Sequence, residues 1–166
     1  MKKLWIVMVL AILLLCGCSA EETFETLSDV WAQPAMATLR QVELTLPKEA
    51  AIQTMQNDAA GKLYLCDGYI LTVQNMPAGD LSRTLVQLTG RTQEQLTLMQ
   101  TKRNALDCYE TVWCAAGEGG DQMGRALILD DGNYHYAVCV MADAALAGEL
   151  SPTWQQLMDS VSLRTD

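Results

Sequence analysis

Residues 124–141 read GRALILDDGNYHYAVCVM, two apolar runs joined through Asp131-Gly132. Asp-Gly tolerates the positive φ of a type I′ turn, so the spacing predicts a tight hairpin with Asp130 opposite Asn133 and Ile128 opposite His135. The second strand, 134–141, is apolar on both faces, as in a central strand covered on each side. Such a strand needs a layer above and another below, and two amphipathic segments can supply them. In 80–89, Leu81, Leu85 and Leu88 fall at i, i+4 and i+7; Asp80 can cap the first turn, and Gly90 suits the left-handed position after the last. Further on, Ser151-Pro152 opens a helix in the manner caps prefer, with Trp154, Leu157, Met158 and Val161 at helical spacing. That stripe must pack on the sheet.

The stretch 62–74, KLYLCDGYILTVQ, repeats the hairpin pattern about Asp67-Gly68. Strands are also expected over 95–101 and 105–115, with the glycine-containing loop 116–122 turning the chain back. Upstream, Val42, Leu44 and Leu46 alternate before Pro47, the period-2 pattern of a half-buried strand within 38–46, while 48–60 fits a helical turn or a loop. Hairpins with one helix inserted mid-chain and one at the C-terminus define an α+β fold, a mostly antiparallel sheet with both helices packed on it. The order of elements, above all the ending of strand, DDGNYHY turn, strand and Trp154-bearing helix, resembles the PsbP-like fold and a group of uncharacterised bacterial lipoproteins built on it. Over residues 38–163 the resemblance implies an antiparallel sheet flanked by helices and an accessory or interaction role. It brings no catalytic residues.

The chain opens MKKLWIVMVLAILLLCGCSAEE. Lys2 and Lys3 ahead of the uncharged run 4–16 have the form of a signal peptide's n- and h-regions. At about 1.5 Å per residue this run reaches roughly 20 Å, short of the ~30 Å hydrocarbon core, which disfavours a permanent span. Leu15-Cys16-Gly17-Cys18 resembles the bacterial lipobox, in which a small residue precedes a cysteine that is diacylated and becomes the mature N-terminus. By that resemblance Cys18 carries the lipid and the mature protein sits on the outer face of a bacterial membrane. Each buried CH₂ of its acyl chains contributes about 0.8 kcal/mol to anchoring. The domains are then 1–17, signal peptide; 18–37, lipidated cysteine and polar tether; and 38–166, a single α+β domain. Of 166 residues, 50% are hydrophobic and 19% charged, ordinary for a globular domain and contrary to wholesale disorder. The formal charge of −9, more negative still without Lys2 and Lys3, excludes a nucleic-acid binder that works by counterion release.

Residues that carry chemistry are sparse. Cys66, Cys108, Cys114 and Cys139 are even in number, which in an exported protein invites disulfides. Cys108 and Cys114 share one expected strand, roughly 20 Å apart when extended, against a limit of about 7 Å for a bridge. The expected register sets Cys114 and Cys139 about 9.6 Å apart, across two strand spacings. Buried thiols acting as small hydrophobes fit best, and no C-x-x-C marks a redox pair. His135 is the sole histidine, too few for most catalytic zinc sites. As a catalytic base it would need a hydroxyl or thiol and a carboxylate brought together by the fold, since no G-x-S-x-G is present. Glu21-Glu22 and Asp130-Asp131 lack EF-hand spacing, and GEGGD at 117–121 lacks the Lys-Ser/Thr ending of a phosphate loop. Tyr64 and Tyr69 share one hairpin face, and Tyr134 and Tyr136 share another; a face left uncovered would make a recognition surface. The reading is a non-enzymatic, membrane-anchored lipoprotein without metal or cofactor. Its expected partners are the membrane, through Cys18, and an unknown protein or small ligand. A hydrolase using His135 and a thiol redox protein are the alternatives.

Overall fold

The computed structural model describes residues 38–53, 61–117 and 119–164; the signal peptide, Cys18 and tether expected in 1–37 lie outside the described residues. After the two-residue β1 (Val42–Glu43), seven strands form one antiparallel sheet: β2 (Ala51–Gln53), β3 (Gly61–Cys66), β4 (Tyr69–Pro77), β5 (Thr97–Arg103), β6 (Leu106–Gly117), β7 (Gly120–Asp130) and β8 (Tyr134–Asp143). Their spatial order is β2-β3-β4-β8-β7-β6-β5. Helix α1 (Leu81–Thr89) follows β4, and helix α2 (Ala147–Asp159) follows β8. The last element, β9 (Ser162–Leu163), returns to pair with β1. The fold is α+β, as the hairpin pattern predicts.

β8 is the central strand, and side chains of alternate parity divide between two cores. On one side Trp154, Leu157 and Met158 of α2 pack with Tyr64, Tyr69, Leu71, Val138 and Val140. On the other, Leu85 of α1 packs with Met76, Ile128 and Ala137. Both helices form where the apolar spacing places them, and the α1 caps match in detail. Asp80 accepts from the Ser82 amide at 2.9 Å, and Gly90 sits at φ 69° and donates its amide to Val86 O.

The first hairpin turns at Asp67-Gly68 with Cys66 opposite Tyr69, in the expected register. The second differs. Its turn is centred on Gly132-Asn133, one residue later, so Asp130 faces His135 and Ile128 faces Ala137. Gly132 takes the positive φ (86°), and the Asp131 carboxylate accepts the amides of Asn133 (2.9 Å) and Tyr134 (2.8 Å), which keeps Asp131 ahead of the turn. Moving a turn by one residue shifts cross-strand partners by two and leaves each side chain on its original face. Cys139 therefore faces Ala126, not Gly124.

Other expectations are revised as well. Ala51–Gln53, within the stretch expected as a helical turn or a loop, is instead strand β2, paired with β3. Only Val42–Glu43 of the strand expected in 38–46 enters a ladder, because its partner β9 is itself two residues long. Pro152 lies inside α2 instead of opening it: the helix gains a turn before the proline, and that turn buries Ala147 against the core. Finally, the tyrosine faces are covered. α2 and the 39–44 segment lie over them, so Tyr64, Tyr69 and Tyr136 are core residues, and only Tyr134 stays half-buried.

Candidate functional site

The tip of the β7–β8 hairpin carries the densest polar chemistry among the described residues, and it serves both faces of the sheet. Toward α1 points His135, 1% exposed. Its Nδ1 is 2.7 Å from Thr84 Oγ1, and its Nε2 is 3.5 Å from Asp130 Oδ2. The revised register is what sets Asp130 directly across from His135. Hydroxyl, imidazole and carboxylate thus lie in the order of a nucleophile, its base and an orienting group. Three features oppose that chemistry. Thr84 is 5% exposed, and its hydroxyl is directed inward from the helix to the imidazole. The amides of Ser82, Arg83 and Thr84 are already bonded to Asp80, so they offer no donors to a developing oxyanion. At 3.5 Å the Asp130 contact also exceeds hydrogen-bond length. What the row does accomplish is to tie α1 to β8 through a buried polar bond. A cleft of about 490 Å³ opens beside it, bordered by Pro77, Asp80, Arg83, Thr84 and Gln87.

Toward the opposite face points Tyr136, fully buried except for its bonding partners. Its hydroxyl donates to Asp131 Oδ2 (2.9 Å) and accepts the Arg40 amide (3.0 Å). Arg40 Nε lies 3.7 Å from the same carboxylate oxygen. Burial works against the charged form of Asp131, but the Tyr134 and Asn133 amides, the Tyr136 hydroxyl and Arg40 outweigh it and hold the carboxyl below its usual range. Burial, reinforced by that carboxylate, pushes the Tyr136 phenol up. The network pins residues 39–44 across the sheet as a strap. Beneath the strap lies a cleft of about 230 Å³ with Arg40 and Lys62 at its rim and Tyr64 and Val73 in its floor. Asn75 also borders it, and the Asn75 Oδ1 is buried without a hydrogen-bond partner among the described residues.

The remaining residues singled out in the sequence are placed as follows. Tyr69 meets Trp154 edge-on with ring centroids 6.2 Å apart, and Tyr134 tilts against Tyr136, also at 6.2 Å. All four cysteines of the domain are free thiols. Burial pushes Cys139 up to about 12 and raises Cys108, which disfavours the thiolate that redox exchange requires. No group of three metal-ligating side chains occurs among the described residues, and no helix among them is long and apolar enough to cross a membrane. Sequence reasoning missed Thr84, Arg40 and Asn75. Thr84 and Arg40 act through partners distant in sequence, and Asn75 stands out only because the fold buries its Oδ1 without a partner among the described residues, so no local pattern marks them.

No protein-family model matches the sequence, and the curated proteins contain no match to it. Solved structures do resemble it. The solution structure of cyanobacterial PsbP (CyanoP) from Synechocystis sp. PCC 6803 superposes with a TM-score of 0.58 at 8% identity, covering 80% of this chain and 96% of that one. LpqN of Mycobacterium tuberculosis, described as involved in cell envelope biogenesis, gives 0.50 at 8% identity over 81% of this chain and 88% of that one. A protein from Bacteroides thetaiotaomicron gives 0.52 at 12% identity over 75% of this chain; the match spans 46% of that longer protein. The fold is thus the α+β, PsbP-like one expected from the order of elements.

Proposed function

We propose that the protein is a membrane-anchored extracytoplasmic lipoprotein whose α+β domain serves as a non-enzymatic binding or accessory module for a protein or small ligand. The observation that carries this reading is the contrast at the β7–β8 tip. The groups able to do chemistry there, His135 and Thr84, are locked into the core, whereas one open cleft borders Thr84 and another opens beneath the strap on the opposite face of the sheet. The address rests on Lys2, Lys3, the apolar run after them and the lipobox-like end at Cys18. Similarity of fold to LpqN, described as involved in cell envelope biogenesis, supports an extracytoplasmic location. Cross-linking the lipidated protein in its own membrane, followed by identification of the captured molecule, tests the binding role. The anchor has its own test: Cys18→Ala abolishes acylation, read by mass spectrometry of the membrane fraction, and acyl chains on the variant would refute the lipobox assignment.

The hydroxyl–imidazole–carboxylate row favours a second reading, a hydrolase with Thr84 as nucleophile and His135 as base. A fluorophosphonate probe decides between them. The binding module leaves Thr84 unlabelled, and covalent labelling that disappears in Thr84→Val would establish the enzyme.

A further inference from the structure

We propose that the cleft beneath the 39–44 strap binds the carboxylate end of an acylated amino acid, a chemistry shared by small N-acyl amino acids and by the C-terminus of a peptide. The proposal deepens the binding reading above and rests on it. Three features of the cleft select this ligand. The charged groups on its lining are Arg40 and Lys62, both cationic, in a chain whose formal charge is −9. Asp131 approaches Arg40 only at Nε and already accepts three hydrogen bonds, from Asn133, Tyr134 and Tyr136, which leaves the outer guanidinium nitrogens free of carboxylate partners among the described residues. Guanidinium and ammonium together form an anion rim suited to a carboxylate.

Asn75 supplies the second feature. Its Oδ1 is a buried acceptor with no donor among the described residues, a condition that costs stability unless a ligand or water brings one. Asn75 borders the cleft beside α1 as well, and its Oδ1 is enclosed, so the Asn75 amide turns toward the strap cleft to accept the N–H next to the ligand's carboxylate. The third feature is the floor of Tyr64 and Val73, with Leu44 from the strap, which offers apolar contact to a small aliphatic side chain. At about 230 Å³ the cleft falls below the ~300–1,000 Å³ of drug-sized sites, so it admits one residue and its flanking amide.

The test titrates the full-length protein in detergent micelles with N-acetyl-leucine, read by calorimetry and by amide shifts of Arg40, Lys62 and Val73. Saturable binding localised to these residues is expected. N-acetyl-leucine amide, which lacks the charge, and 4-methylpentanoate, which lacks the N–H, should each bind at least about tenfold more weakly, a loss of about 1.4 kcal/mol. Arg40→Gln and Lys62→Gln should weaken N-acetyl-leucine but not its amide. Lys62 is exposed, so that variant remains folded even if Arg40→Gln loosens the strap. Asn75→Leu should erase the preference for N-acetyl-leucine over 4-methylpentanoate. A short peptide ending in leucine, with free or amidated terminus, separates the sources: tighter binding of the free-ended peptide than of N-acetyl-leucine assigns the site to peptide ends, and the reverse assigns it to free acids. Equal affinity for acid and amide, or no saturable shift at millimolar N-acetyl-leucine, overturns the ligand assignment. If cross-linking in the membrane still captures a partner in that event, the binding reading stands and only the ligand chemistry falls.

Discussion

Thr84 and His135 are 51 positions apart and meet because α1 packs with Leu85 on the same side of β8. Removing the hydroxyl while keeping the shape isolates the value of that bond. Thr84→Val leaves Nδ1 of a 1%-exposed imidazole without its partner and should destabilise the protein by about 1–3 kcal/mol in urea unfolding. A change under about 0.5 kcal/mol would mean that the imidazole is satisfied by another group. Asp131 makes a separate residue-scale prediction with a definite sign. Its carboxyl titrates lower in the folded protein than the ~3.9 of an unfolded chain. The stability it contributes is therefore present above the unfolded value and disappears as pH falls through the folded one. Between roughly pH 5 and pH 2, the carboxylate range, the melting temperature of Asp131→Asn should fall less steeply than that of the parent. Equal slopes would show that Asp131 is not the group linking acid to unfolding. These contacts explain the limit of legibility at this scale. Asp80 and Gly90 act within their own turn, so their roles are visible in sequence; the partners of His135 and Tyr136, and the burial of Asn75 Oδ1, depend on how distant elements dock.

Among elements, apolar period and turn residues located the Asp67-Gly68 and β7–β8 hairpins and both helices, but the register of the β7–β8 hairpin escaped them. Asp131-Gly132 and Gly132-Asn133 are both acceptable turn pairs. The choice is made by hydrogen bonds from the turn amides to Asp130 and Asp131, and composition carries no trace of that preference. β9 was invisible for a different reason: two residues show no periodicity, and their strand character comes entirely from pairing with β1. Packing within the sheet is equally specific at Gly124. The Trp113 ring crosses β7 there, and a Cβ on residue 124 would collide with it. Gly124→Ala must push the indole out of its place against Ala126 and Cys139, so it should cost about 1–3 kcal/mol, with a change in tryptophan fluorescence. Unchanged fluorescence and stability would indicate that the ring has room on the outer side of the sheet.

Taken as a whole, the domain owes its stability to a seven-stranded sheet with a helix against each face, and its thiols take no part as cross-links. The ladder explains why. Cys66, Tyr69, Ala142, Met123 and Cys114 form one row across β3, β4, β8, β7 and β6, which separates the two cysteines by four strand spacings, about 19 Å. Cys139 alternates to the opposite face, opposite Ala126 and Thr72, and Cys108 points to the α2 side opposite Leu129. A bridge needs Cα atoms within about 7 Å, so joining the row's two thiols would require dismantling the central strands. The native fold should therefore be indifferent to reductant. A single disulfide commonly contributes about 2–4 kcal/mol, which for a domain of this size corresponds to roughly 5 °C or more in melting temperature. The expected result is no shift on adding reductant, with Cys66, Cys108, Cys114 and Cys139 all titrating as thiols in denaturant. A shift of that size, together with blocked thiols before reduction, would mean that two of these strands are not neighbours in the order given, because no bridge fits the ladder as it stands.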